Sequence, residues 1–549
     1  MKKHYDEIVK ACDRSVHNYM KMTVTDRNDP SFGGIRGNED GMVTPGASIG
    51  CLLGYASSYY NPDSTYYNDK EVLEYMKAAL EYSGKVQRED GTFDLLISNF
   101  YSAPDTGFIM HNIARTYRVM EKYAKTADEL EIKDNLYTIL EKASKGLRDG
   151  GFHTPNHRWV EAAGLAMAYN ITGDKSLLEM AEMYLSEGID IDENGEFTER
   201  SPGIYNAVND NALIILSEEL GLPELFDYAA MNLRMMFSYL EPDGSVFTQN
   251  SVRVDKGEGM PGKSFYPVNY YFLYLKAAYA LGRADFAAMA DLMFESAIRS
   301  GRNVPGVSWM FMLEEGLKDY EPDTDEIPVE YEEFYKPSRI VRKRKDDLTV
   351  TILGGSPNFL FVQKGSLRCY VRICASFFAV AQFKADDIKK DGNVYEMEFT
   401  AHAGYRWPLE TPPGTSVWDE MDHSKRKTVN KLSLTYNVRV ETTDTGARLH
   451  VSTSGCDRVP VKVEFCFTGG CTVRGENFLV QGKPGNAITV GDGMVDVNLG
   501  LDKMKIGPAF MQHHYDSSMR GSVEQDKNGF TVYFTEYTNI DKTIEIIAQ

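Results

Sequence analysis

Two short stretches carry most of the chemistry-bearing side chains: Asn156-His157-Arg158-Trp159, and Glu199-Arg200-Ser201-Pro202-Gly203-Ile204-Tyr205. Together they hold an amide, an imidazole, two guanidiniums and a phenol. These groups neutralise a carboxylate and move a proton beside it. Charge developing on an acidic carbon's neighbouring carboxylate is stabilised by fixed donors, and a phenol or imidazole serves as acid or base. A free phenol titrates at about 10, so a base of this type needs a cationic neighbour, and Arg200 is the candidate. Glu199 or Glu196 competes for Arg200 as a surface partner.

The elements that must position these groups change character near residue 335. Before it, apolar residues recur at three and four, as in Lys70 to Gly84, Thr106 to Lys125, Ile132 to Lys145, Trp159 to Thr172, Leu177 to Glu187 and Val208 to Leu220, which predicts helices. After it, Leu348 to Leu353, Phe359 to Val362, Val394 to Phe399, Leu432 to Val440 and Phe530 to Phe534 approach period two, which predicts antiparallel strands. Two domains are expected, 1–335 helical and 336–549 a β-sandwich, with the acidic, Pro-containing Asp319 to Pro337 as linker and the basic run from Arg339 as a solvated interdomain segment.

The helical half repeats a turn: Asp90-Gly-Thr-Phe, Asp149-Gly-Gly-Phe, Asn194-Gly-Glu-Phe and Asp243-Gly-Ser-Val-Phe. The spacing of roughly 45 to 60 residues is one helical hairpin each, so about six hairpins fit. The fold expected is an incomplete or complete (α/α)6 toroid, with an open solenoid as the alternative. Loops at one end of the inner helices then build a cleft. Polar, aromatic and Gly-rich segments suited to it are Ser31 to Gly41, Ser98 to Thr106, His153 to Trp159, Thr198 to Asn206 and Gln249 to Lys256.

Composition narrows the partners. The 549 residues carry a net charge of −21, which excludes nucleic acid as the bulk partner, although a cleft that collects arginines can still bind an acidic polymer. An aromatic share of 12% suits sugar rings or core packing. Seven cysteines without a CxxC pair read as reduced thiols. The chain shows neither a secretion signal nor a membrane-length apolar run, so a cytoplasmic protein with no membrane partner is expected.

At this point the chain resembles the toroid-plus-β-sandwich polysaccharide lyases, the heparinase II/III-like and alginate-lyase-like group. The resemblance covers the order of the two halves and two motifs. It implies that an Asn or His just before an inner helix is followed by a catalytic Tyr about fifty residues on; Tyr205 stands 49 residues after Asn156 and 48 after His157. The activity implied is β-elimination on a uronate-containing oligosaccharide or polysaccharide, with Asn156, Arg158, Arg200 or His157 neutralising the carboxylate and Tyr205 as acid and base. It also implies a His from the β half, for which His402 is the match, with Tyr405, Arg406 and Trp407 beside it and Gly404 permitting a sharp loop. Arg36, Asn99, Tyr101, Trp159 and Arg253 complete the expected substrate-binding set. No cofactor is expected. The sandwich lacks the His-rich run of some relatives, having only His423 and the pair His513-His514, so a metal is left open, as is the oligomeric state.

Two other classes are consistent with the residues. Toroid hydrolases of unsaturated uronides use aspartates as acid and base, and Asp90, Asp105 and Asp149 are their candidates here. A carbohydrate-binding protein without catalysis is the other.

Overall fold

The computed structural model describes residues 2–37, 40–256, 265–266 and 268–549. The chain divides into two compact units. One comprises Met1–Phe237, Ser251–Asp255 and Tyr266–Ile327; the other comprises Ser238–Asn250, Lys256–Phe265 and Pro328–Gln549.

The first unit holds twelve α-helices among the described residues: α1 (Lys2–Met22), α2 (Pro45–Tyr59), α3 (Lys70–Val86), α4 (Ala103–Tyr123), α5 (Ala127–Asp149), α6 (Pro155–Thr172), α7 (Lys175–Ser186), α8 (Tyr205–Leu220), α9 (Pro223–Met235), α10 (Tyr271–Leu281), α11 (Ala284–Arg299) and α12 (Ser308–Leu313). Odd and even helices differ in kind. In α5 the buried residues Ile132, Leu136, Ile139, Leu140, Ala143 and Leu147 form one stripe, the mark of a helix with a solvent face. In α6 every residue from Trp159 to Ala168 is buried, as expected of a helix enclosed on all sides. The even helices form the inner layer, with α2 on α4, α4 on α6 and α6 on α8. At the other end of the series α1 meets the last hairpin, where His4 stacks on Phe294 at 3.9 Å between ring centres and reaches the Tyr271 hydroxyl at 3.1 Å.

Connections entering α2, α4 and α8 are long, whereas those entering α5, α7, α9 and α11 are two or three residues. The long ones share one rim, because the inner helices run the same way. Three of the four repeated turns have their glycine at positive φ: Gly91 at +96°, Gly195 at +88° and Gly244 at +78°. At Gly91 a Cβ would lie 2.0 Å from the Lys142 carbonyl oxygen in α5, so only glycine lets the turn seat there. The aromatics that follow, Phe93, Phe197 and Phe247, are buried. The fourth, Asp149-Gly-Gly-Phe, is no such turn. Asp149 ends α5, Gly150 has φ −85°, and Phe152 is exposed.

The second unit is a sandwich of two nine-stranded sheets. Ladders are antiparallel except that Ala487–Thr489 runs parallel to Gly529–Tyr537. Alternating side chains of both sheets fill one core, with Ile352, Val371, Phe465 and Phe534 from one and Tyr436, Val438, Leu449 and Ile544 from the other. The acidic stretch is irregular only up to Val329, since Glu330–Tyr335 pairs with Ile340–Lys345. The basic run is therefore a strand and not a solvated segment. Arg342 within it is 1% exposed and pairs with Glu241 at 2.9 Å. Segment Ser238–Asn250 belongs to this unit through that pair and through Arg368, which bonds Asp243 and Ser245.

All seven cysteines are unpaired. Among the described residues no helix is long and apolar enough to cross a membrane, and no group of three potential ligands is placed to hold a metal ion.

Candidate active site

Four of the segments expected to line a cleft lead into the inner helices: Ser31 to Gly41 precedes α2, Ser98 to Thr106 enters α4, His153 to Trp159 enters α6 and Thr198 to Asn206 enters α8. Asn38 and Glu39 lie outside the described residues. From the fifth, Ser251–Asp255 joins the turn before α8 through a buried carboxylate. Asp255 accepts from Ser201 Oγ at 2.8 Å, from the Gly203 backbone N–H at 2.8 Å and from Ser251 Oγ at 2.5 Å. The Val252 N–H donates to the Arg200 carbonyl at 3.1 Å.

That stitching sets Arg253 against Tyr205. The Arg253 guanidinium carbon lies 5.0 Å from the ring centre of Tyr205, and its Nε lies 3.0 Å from Glu199 Oε1. Tyr205 is the first residue of α8, and its N–H donates to Ser201 Oγ at 3.0 Å. The cation beside the phenol is thus Arg253 and not Arg200. Arg200 has φ +37°, is partly exposed, and its guanidinium has no partner among the described residues.

Glu199 is no surface partner of Arg200. It is 3% exposed and accepts from Asn156 three times, from the backbone N–H at 3.0 Å and from Nδ2 at 2.8 and 3.0 Å. Burial raises its carboxyl above the ordinary range, and Asn156 and Arg253 only partly offset this. The consequence for Asn156 is a correction. Fully buried, with Nδ2 given to Glu199 and Thr154, it has no donor left for a substrate carboxylate.

His157, one residue on, is better placed. Its ring meets His153 at 4.7 Å and Phe108 at 6.3 Å, both edge-on, and Nδ1 is buried without a partner among the described residues. Burial pushes it down to about 4, with His153 and Arg253 adding to the effect and Asp105 opposing it. It is a neutral imidazole at pH 7. Such a ring donates one hydrogen bond and accepts another.

Other expected binding residues divide plainly. Arg158 is spent on Glu187 at 3.0 Å and Asp190 at 3.2 Å, and it lies over the Trp159 ring at 4.1 Å. Trp159 is fully buried with its indole N–H on Asp190 at 2.7 Å, so it packs the helix and offers no face to a sugar. Arg36 pairs with Asp29 at 3.1 Å but stays half exposed. Tyr101 is 59% exposed with Arg88 over its ring, and Asn99 donates to Asp105 at 3.0 Å.

The β-unit residues are placed among themselves. His402 faces Ser433 across the strand pair, Nδ1 to Oγ 2.9 Å, and is exposed. Gly404 marks a bulge in strand Val394–Arg406 and not a loop. Beyond it Tyr405 touches Phe378 edge-on at 5.4 Å, Arg406 opposes Thr428 in register, and the exposed Trp407 ring carries Lys427 at 5.2 Å.

The carboxylates considered for hydrolysis have turn, pairing and capping roles. Asp90 accepts from Thr92 N–H and Oγ1, Asp149 pairs with Arg148 on the surface, and Asp105 takes Ser102 Oγ and Asn99 at the start of α4. From the sequence, Glu199 reads only as a surface partner for Arg200 and Asp255 only as part of the segment Gln249 to Lys256; no local motif marks the role of either in holding the site together.

An inner layer of helices with long loops on one rim, followed by an antiparallel sandwich, is an arrangement also found in solved polysaccharide lyases. No family model matches the chain, and no curated protein matches it by sequence. Among solved structures it resembles a Paenibacillus xanthan lyase (TM-score 0.59, 10% identity, 98% of this chain and 56% of that one). It also resembles the Streptomyces coelicolor A3 chondroitin AC lyase in complex with chondroitin sulphate (0.56, 11%, 100% and 79%) and heparinase III (0.55, 9%, 98% and 84%). The chain spans little more than half the length of the xanthan lyase. At these identities the likeness is one of fold.

Proposed function

We propose that the protein is a lyase that cleaves a uronate-containing oligosaccharide or polysaccharide by β-elimination. The observation that carries this is the guanidinium of Arg253 held against the Tyr205 ring, on the rim that also carries Arg200 and His157, whose Nδ1 has no partner among the described residues. Tyr205, as phenolate, takes the C5 proton; the electron pair forms the C4–C5 double bond as the C4–O bond breaks, and the same phenol returns its proton to the departing oxygen. Arg253 offsets charge on the phenolate. His157 and Arg200 meet the uronate carboxylate and stabilise the charge that spreads onto it. Asn156 acts one step back, by holding Glu199.

The test is ultraviolet absorbance of the new double bond during incubation with alginate, heparan-type and chondroitin-type chains. A rise with at least one uronate glycan is expected. No rise with any of them, together with a loss of absorbance from unsaturated oligosaccharides, would replace elimination by hydrolysis.

A further inference from the structure

At the end of the inner helices away from Tyr205 lies a cavity of about 250 Å³, walled by α4, α6, α8, α10 and α12. The short helix α12 is held there by its Met312 carbonyl, which accepts from Lys122 at 2.9 Å and from the Tyr123 hydroxyl at 3.1 Å. Met167, Ile214, Ile215, Phe272 and Leu273 give the wall an apolar side.

The other side holds three cations and three carboxylates, unevenly matched. Arg118 takes Glu219 in a two-pronged pair, and Lys276 takes both Glu218 and Glu314. Arg115 has no carboxylate within ion-pair distance among the described residues. It donates once, from Nη2 to Asn211 Oδ1 at 2.9 Å, and lies 4.3 Å from the centre of the Trp309 ring. Burial, then Arg118, pushes the guanidinium down to about 10, with Glu218 and Glu219 opposing the shift. A planar guanidinium with a free edge recognises a carboxylate through parallel N–H donors. A multiply charged anion fits worse, since three carboxylates already line the wall.

We propose that this chamber binds a small monocarboxylate of about monosaccharide size, its carboxylate on Arg115 and its carbon skeleton against Ile214, Ile215 and Phe272. The site is separate from the elimination chemistry and does not depend on it.

Calorimetric titration of the full chain with sodium D-glucuronate tests this, with D-glucose and inorganic phosphate as parallel titrants. Saturable binding of glucuronate that the chamber variants lose is expected, no binding of glucose, and weaker binding of phosphate. Arg115→Gln should weaken glucuronate binding by about tenfold or more. Ile215→Trp, which fills the chamber and keeps its charges, should abolish binding and covers the case in which Arg115→Gln does not fold. No saturable glucuronate binding, equal binding by the chamber variants, or tighter binding of phosphate overturns the proposal. Elimination by Arg115→Gln, measured separately, should match the parent, so that failure here is distinguishable from failure of the lyase reading.

Discussion

Arg253 holds two residues at once: its guanidinium covers the Tyr205 ring at 5.0 Å, and its Nε lies 3.0 Å from Glu199. A phenol that must carry negative charge during turnover thereby has a fixed cation against it. Arg253→Ala is expected to lower kcat by about a hundredfold, in the range seen when one stabilising donor is removed, with a smaller change in KM. Arg253→Lys should not restore the rate, because an ammonium lacks the planar fork that meets ring and carboxylate together. Unchanged kcat in either variant would remove Arg253 from the chemistry.

Glu199 supplies the other end of that arrangement. Glu199→Gln keeps the shape and one contact with Asn156, but it loses the ion pair that orients Arg253. A fall in kcat of about tenfold is expected, with the acid limb of the pH–rate profile altered because the carboxyl raised by burial is gone. A change in thermal stability with kcat and the profile intact would make Glu199 purely structural.

The long periodic segments were legible because burial imposes its period on them: α3 to α8 and the principal strands fall where the pattern puts them. The repeat was legible in three places and misleading at Asp149, where the same letters end a helix, since a dipeptide does not report the helix register before it. Residue type at Tyr205, His157 and Arg253 pointed to the rim. What the sequence hid is pairing between distant segments. Glu199 lies 43 residues from Asn156 and Asp255 lies 54 from Ser201, so no local pattern shows that the first spends the Asn156 donors and the second steers Arg253 onto Tyr205. Trp159 misled for a related reason: an indole beside polar residues reads as a sugar platform until the helix is seen to be enclosed.

Trp159 accordingly offers a stability prediction. Trp159→Phe keeps most of the packing but leaves Asp190 without the indole donor, a loss of about 1–3 kcal/mol. Urea unfolding should show it, with KM for the glycan unchanged. A raised KM at unaltered stability would return Trp159 to the binding surface.

Glu161 gives a pH dependence with a definite sign. It is fully buried, accepts from the Tyr184 hydroxyl, and burial pushes it up to about 7 from 4.5. Between those values the folded chain binds a proton that the unfolded chain releases, so this group's contribution to stability falls as pH rises from 4.5 through 7 and then levels off. Glu161→Gln should therefore gain on the parent by about 3 kcal/mol between pH 4.5 and pH 8. Urea unfolding of both proteins at the two pH values measures the gain. A difference independent of pH would contradict it.

The most direct measurement is the appearance of C4–C5 unsaturation in a uronate glycan, followed by absorbance, with the parent protein and Tyr205→Phe side by side. The parent should generate the chromophore, and Tyr205→Phe, folded to the same melting temperature, should generate none above background. Full activity in Tyr205→Phe would contradict the assignment of the proton to this residue.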